Sequence, residues 1–452
     1  MNRPISTTVP TDRQTGRARA ALLALATMIT VSDGFDVTLS GITLPLVIKE
    51  GTWGVTAATA GTIASALLLG MFLGALLAGS LADRIGRRPV ILTTVALYGV
   101  FTLAGIFAPS LGFFLVCRVL VGMGVGGVIP AVIAHVSEFS APHRRYRSNT
   151  ILLTGTAVGS LVVPLVGLAV LHAIGFRGMW AIGGAFGILL IPFIIAMVPE
   201  SAAYLRSHGR ADKAAEVSAK YGLDLDEPGQ QGQKARIRDL FTAEHGRRTI
   251  LVLFGGAFVL GFATSFGTLF PQLLVFGGVE FSNALLFTAA YGLGAIIGPL
   301  LGGRLQDKGN PRYVVAGYLT AGAVAVLLVG FLVGAPLGVI LVLVFLIGAF
   351  SGPFMFNGMV ANVFPVHLRG TVLSLEFSVG RAVAVGLGAL GGWLMVSGAS
   401  VPVNFAFWAL FPFLGAIVVF MLPAYRRRVS RPEAASPSES PTSATTGLET
   451  AP

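Results

Sequence analysis

Two aspartates, Asp33 and Asp36, stand in an otherwise apolar run from about residue 20 to residue 47. A charged side chain near the centre of a bilayer costs roughly 2.5–3.5 kcal/mol on insertion scales, so two carboxylates in one membrane helix point to working groups rather than packing. Spaced i, i+3, they share a helical face, where one bound proton relieves their mutual repulsion. That is a proton-carrying device. Arg118 and Arg381 are the cations inside apolar runs. A buried guanidinium can grip a substrate carboxylate through two parallel N–H donors, or it can neutralise an aspartate. Arg118 follows the turn at 109–112 by about six residues, which puts it roughly 9 Å into a membrane at 1.5 Å per residue. Asp36, about sixteen residues in from the other side, falls at a similar depth. Phe35, and with it Phe266, Phe270, Phe354 and Phe356, could stack on an aromatic ring, although most of the 31 phenylalanines serve packing or lipid contact.

The elements that must position these groups are membrane helices. Of 452 residues, 54% are hydrophobic and 11% charged, against about 25% charged in soluble domains, and mean hydropathy is +0.81. Apolar runs of spanning length recur at about 20–47, 58–81, 89–108, 111–135, 147–170, 178–198, 249–276, 284–303, 313–334, 337–360, 371–396 and 403–423. The first run lacks the short apolar core and small-residue site of a cleaved signal and is expected to be retained. Outside the spans all of the Lys and Arg residues except Lys49 and Arg177 fall on the side of both termini, which predicts cytoplasmic termini in a plasma membrane. This placement reads the net charge of +11 as orienting helices, not as binding nucleic acid. The single cysteine, Cys117, excludes an intrachain disulfide. No His/Cys cluster has metal spacing and no Gly-Lys-Ser loop cradles phosphate, so no metal, cofactor or enzymatic chemistry is expected.

The predicted organisation is an N-terminal tail (1–19), a six-helix bundle (20–199), a charged cytoplasmic linker (200–248) with a surface helix near 201–221, a second six-helix bundle (249–423) and a disordered C-terminal tail (424–452). The halves repeat: Gly79 and Asp83 recur as Gly303 and Asp307, and the same offset of 224 maps His143 to His367 and Arg145 to Arg369. Duplicated membrane bundles are the usual build of secondary carriers, with the substrate site near the midplane between halves. The fold expected is therefore an all-α polytopic membrane protein, twelve transmembrane helices in two pseudo-symmetric six-helix bundles.

The loop Gly79-Ser80-Leu81-Ala82-Asp83-Arg84-Ile85-Gly86-Arg87-Arg88 is the most specific motif. It resembles the signature between the second and third helices of the major facilitator superfamily. Asp33-Gly34-Phe35-Asp36 is similar to the paired aspartates in the first helix of its aromatic acid:proton symporter branch. The likeness continues through Arg118 with Gly122, Gly124 and Gly126, Ser137-Glu138, Arg145, Pro199-Glu200-Ser201, Asn310-Pro311, Phe364-Pro365, Arg369-Gly370 and Gly380-Arg381. The chain departs from the branch at Glu376, where an apolar residue is expected, and at Thr268-Leu269-Phe270-Pro271-Gln272, which lacks a Trp-Leu-Pro pattern.

The resemblance implies a monomeric, lipid-embedded carrier that imports a small organic anion, of benzoate type, with protons by alternating access. Asp33 and Asp36 would couple protons, and Arg118, Arg381 and Phe35 would bind substrate. Asp83, Arg84, Gly86, Arg87, Arg88, Glu138, Arg145, Asp307 and Arg369 would form a cytoplasmic gate. A sugar, a non-aromatic acid or an exported drug on the same machine are the alternatives, followed by a non-transporting sensor and a membrane enzyme.

Overall fold

A computed structural model describes residues 12–140, 145–223, 237–243, 245–364 and 366–422. The expected C-terminal tail, 424–452, lies outside the described residues. The apolar runs form helices α1 (Asp12–Lys49), α2 (Ala57–Ile85), α3 (Arg87–Ile106), α4 (Leu111–Phe139) and α5 (Arg145–Met197), followed after the linker by α8 (Gly246–Phe276), α9 (Phe281–Lys308), α10 (Pro311–Leu332), α11 (Leu337–Phe350), α12 (Pro353–Val363), α13 (Val366–Val396) and α14 (Val401–Met421). Two short linker helices, α6 (Ala202–Ser207) and α7 (Ala211–Tyr221), stand where one was expected; Gly209, at φ +74°, separates them.

Eleven described helical segments are long and apolar enough to cross a membrane, and one of them, Ser148–Met197, has 50 residues. At about 1.5 Å per residue that exceeds twice the roughly 30 Å hydrocarbon core, so it holds two passes. They part at Gly175, where φ is +64° and ψ −177°. The tenth pass is also interrupted: Gly352, at φ +70°, and Pro353 divide α11 from α12. Twelve passes result. Helix α1 begins at Asp12, eight residues before the apolar run, so part of the expected tail is helical. Arg19 there donates from Nε to Tyr221 O and from Nη2 to Gly222 O, both at 2.8 Å. A cation at the C-terminal carbonyls of α7 is favourable, and it clips the linker to the first helix.

The duplication runs deeper than the loops. Gly70 and Gly74 of α2 press on the α4 backbone at Val119 and Met123, and Gly294 and Gly298, at the same offset of 224, press on the α11 backbone at Phe345 and Ala349. Between the halves, α1 meets α8, α5 meets α9 and α2 meets α13. The named contacts run from the end bearing Lys49 and Arg177 to the bundle centre. Gly41 lies against Thr268, Gly167 against Leu285 and Gly61 against Gly392, while Ser65 Oγ donates to Val385 O at 3.2 Å. At the opposite, basic end, α12 packs in a cluster drawn from its own half.

Gly34, between the two aspartates, has a structural task. It lets α5 cross α1 so closely that a Cβ there would strike the Thr156 backbone, 2.9 Å from its Cα, and Ser160 Oγ donates to Gly34 O at 3.3 Å. Backbone cannot yield as a flexible side chain does, and overpacking of this kind typically costs 1–3 kcal/mol. Gly34→Ala is therefore expected to lower the thermal unfolding midpoint of the purified protein by several degrees. Gly16→Ala, with nothing within 4 Å, should leave it unchanged.

Candidate functional site

Helix α1 carries Asp33 and Asp36 through the bundle centre with its whole 32–45 stretch turned inward or packed, and both aspartates are 1% exposed. Asp36 Oδ1 accepts from Thr102 Oγ1 of α3 at 2.8 Å, whereas Asp36 Oδ2 and both Asp33 oxygens have no hydrogen-bond partner. The Tyr98 hydroxyl, one turn before Thr102 on the same face of α3, lies beside Ser32 and within electrostatic range of both aspartates. Arg118 of α4 acts electrostatically on Asp36, and Arg381 of α13 acts on Asp33. Neither couple closes into an ion pair, in contrast to Arg87–Glu138 at the basic end. Open couples of this kind can exchange partners.

Arg118 is fully buried, and three features define its surroundings. Its Nη1 donates to Ser40 Oγ of α1 at 3.0 Å. Its Nε and Nη2, which make up one edge of the guanidinium, have no partner. Its Cζ lies 5.1 Å from the centroid of the Phe114 ring and 5.3 Å from that of Trp180. Trp53, Phe114 and Trp180 form a stack with centroid spacings of 4.7 and 4.8 Å and interplanar angles of 25° and 15°. Trp180 is fixed by donating from Nε1 to Thr43 Oγ1 at 3.0 Å, and Trp53 by donating to Ala108 O at 2.8 Å. A guanidinium against aromatic faces gains roughly 2 kcal/mol or more when desolvated, which offsets part of its burial. The outcome is a cation with one bidentate edge free and an aromatic wall at hand.

Arg381 donates from Nη1 to Gly126 O of α4 at 2.7 Å, a bond between the halves. The structure therefore brings Asp33, Asp36, Arg118 and Arg381 together. It does not bring Phe35 to them: that ring meets Phe186 of α5 edge-on at 6.3 Å and lies against Gly183. Phe266 and Phe270 pack on each other and on Tyr291. Sequence reasoning missed Thr102, Tyr98, Ser40, Phe114, Trp180 and Trp53. Three of these had a signal: Tyr98 and Thr102 are i, i+4 in α3, and Phe114 precedes Arg118 by one turn.

At the basic end, the Glu138 carboxylate pairs with Arg87 and accepts from Ser201 Oγ at 2.8 Å and from the Ala203 amide at 3.2 Å. Glu200 Oε1 accepts from the amides of Arg87, Arg88 and Ser201 at 2.9, 3.3 and 2.9 Å. A carboxylate at the first turn of α3 satisfies amides that the helix leaves unpaired and complements its dipole. Gly86, at φ +98°, is needed there, because a Cβ would meet the Glu200 carboxyl carbon at 2.7 Å. Arg88 Nη2 donates to Ile195 O at 2.6 Å, and the Arg84 carbonyl accepts from Tyr204 Oη at 3.2 Å. These bonds latch the α2–α3 loop to α4 and to the linker within one half. The side chains of Asp83, Arg145, Asp307 and Arg369 lie outside the described residues.

The fold and site define a class: a duplicated twelve-helix carrier with ionisable groups buried between its halves. A family model for the Major Facilitator Superfamily matches residues 26–375 and, separately, 252–450, and the chain belongs to that superfamily, a family of transporters rather than enzymes. It is 28% identical to the benzoate transport protein of Acinetobacter baylyi, over 92% of this chain and 91% of that one. It is 30% identical to the gentisate transporter of Corynebacterium glutamicum, with 90% and 88% covered, and 30% identical to the 4-hydroxybenzoate transporter PcaK of Pseudomonas putida, with 82% and 84% covered. In structure it is similar to the partially occluded inward-open xylose transporter XylE of E. coli, with a TM-score of 0.72 at 17% identity over 90% of this chain and 98% of that one.

Proposed function

We propose that the chain imports a benzoate-type aromatic acid by proton symport, as a monomer in the plasma membrane with both termini cytoplasmic. The observation that carries this reading is the unpaired Nε/Nη2 edge of buried Arg118 beside the Phe114 and Trp180 rings. That edge matches the two oxygens of a carboxylate, and the rings match an aromatic body. The relatives, which are transporters of benzoate, gentisate and 4-hydroxybenzoate, support it.

In this reading substrate meets Arg118 or Arg381 while Asp33 and Asp36 take up proton, and the neutralised centre lets the halves rock. The basic end is cytoplasmic, so contacts running from the Lys49 end to the centre correspond to an inward-facing arrangement. Asp83, Arg145, Asp307 and Arg369 complete the cytoplasmic gate begun by Arg84, Gly86, Arg87, Arg88 and Glu138. Each positive charge moved inward across 100 mV releases about 2.3 kcal/mol, enough for roughly fifty-fold accumulation per net charge.

The test is uptake of radiolabelled benzoate and 4-hydroxybenzoate into proteoliposomes, with and without an inward proton gradient. Gradient-driven accumulation abolished by a protonophore is expected. Uptake that ignores the gradient would refute symport, and selective competition by a sugar or an aliphatic acid would refute the aromatic class.

A further inference from the structure

Glu376 of α13 is 1% exposed, and neither carboxylate oxygen has a hydrogen-bond partner. It sits one turn before Gly380, where α13 crosses α8; the Gly256 carbonyl lies 2.9 Å from the place of a Cβ on Gly380. Gly256 is what makes room for Glu376, since a Cβ there would run into the carboxylate. An apolar side chain of the same volume would fill that space without the several kcal/mol that burying an unpaired carboxylate costs. The charge that reaches Glu376 is that of Arg381 on its own helix, while α8 presents a glycine. Arg381 also acts on Asp33 of α1, and Gly126 O of α4 holds its Nη1. One guanidinium thus stands between a carboxylate of the first half and one of the second, tied to the first half by a single hydrogen bond.

We propose that Glu376 is a second proton-binding carboxylate of the transport cycle, exchanging with Asp33 for the Arg381 charge as the halves rock. This rests on the symport reading above. With Arg381 held at Gly126 and Asp33, Glu376 carries a proton as the neutral acid. With the cytoplasmic side open, Arg381 leaves Gly126, Glu376 releases that proton to cytoplasmic water, and its carboxylate pairs with the guanidinium. Once the halves have rocked to the outward-facing arrangement, return of Arg381 to the first half lets Glu376 bind a proton from the outer side. Each cycle therefore moves one proton more than it would with a neutral side chain at this position.

The test measures the proton:benzoate ratio from reversal potentials in proteoliposomes for wild type, Glu376→Gln and Glu376→Asp. The ratio is expected to fall by one in Glu376→Gln and to return in Glu376→Asp. Across a one-unit pH gradient, steady-state accumulation by Glu376→Gln then falls about tenfold. An unchanged ratio in Glu376→Gln overturns the proposal. Infrared difference spectra across a pH titration of substrate-free protein supply an independent readout. The protonated-carboxyl signal is expected to lose one component in Glu376→Gln while the components of Asp33 and Asp36 remain, and a signal identical to wild type overturns the assignment. Wild type that moves no benzoate would refute the aromatic-acid reading alone, leaving the infrared result to decide Glu376.

Discussion

Asp36→Asn is expected to abolish gradient-driven accumulation of aromatic acid while the protein still reaches the membrane. Asparagine keeps the shape of the side chain and can still accept from Thr102 Oγ1, the bond now made at 2.8 Å, so the α1–α3 contact should survive. It cannot bind and release a proton, and it removes the negative charge that Arg118 faces. An accumulation ratio that exceeds ten in wild type under a one-unit pH gradient should drop to about one, since each proton coupled across such a gradient is worth about 1.4 kcal/mol. Accumulation retained by Asp36→Asn, measured with radiolabelled benzoate, would remove Asp36 from the coupling role.

The second large effect is expected at Arg118. Truncation to alanine removes a buried cation, its bond to Ser40 and the contacts with Phe114 and Trp180. Losing one partner of a buried, charge-assisted pair costs roughly 2–5 kcal/mol, so apparent affinity for benzoate should weaken at least about thirtyfold. Lysine restores the charge without the planar fork and should recover only part of that loss. Benzoate binding to the purified variants, followed by isothermal titration, checks both. Full recovery of affinity in Arg118→Lys would argue against bidentate recognition of the carboxylate.

The two substitutions also show how much of the site could be read in one dimension. Asp36 and Arg118 stand out because charge inside an apolar run is costly wherever it falls, so hydropathy alone marks them. Thr102, Ser40 and Trp180 do not stand out, because a hydroxyl or an indole in a membrane helix is common and its partner lies on another helix. Phe35, next to Asp36 in sequence, was expected to stack on an aromatic substrate. One residue is about 100° of helix rotation, and that turns its ring onto Gly183 and Phe186 instead. Glu200 drew attention only as part of a motif, and its task as an acceptor for the first amides of α3 appears once the sixth pass and the second loop meet.

The sequence by itself determined the membrane class, the twelve passes, the duplication at an offset of 224 and the buried charges. These follow from local hydropathy, the distribution of Lys and Arg, and repeated glycines, each legible without knowing which helices touch. The tertiary structure alone decided which carboxylate answers to which guanidinium: Asp36 to Arg118 within the first half, and Asp33 to Arg381 across the interface. It also decided that neither couple closes, and that Gly256 opens a socket for Glu376. Pairing between helices depends on their crossing and rotation, which small residues such as Gly34 and Gly256 set through close backbone approach, and no periodicity along a single helix encodes that.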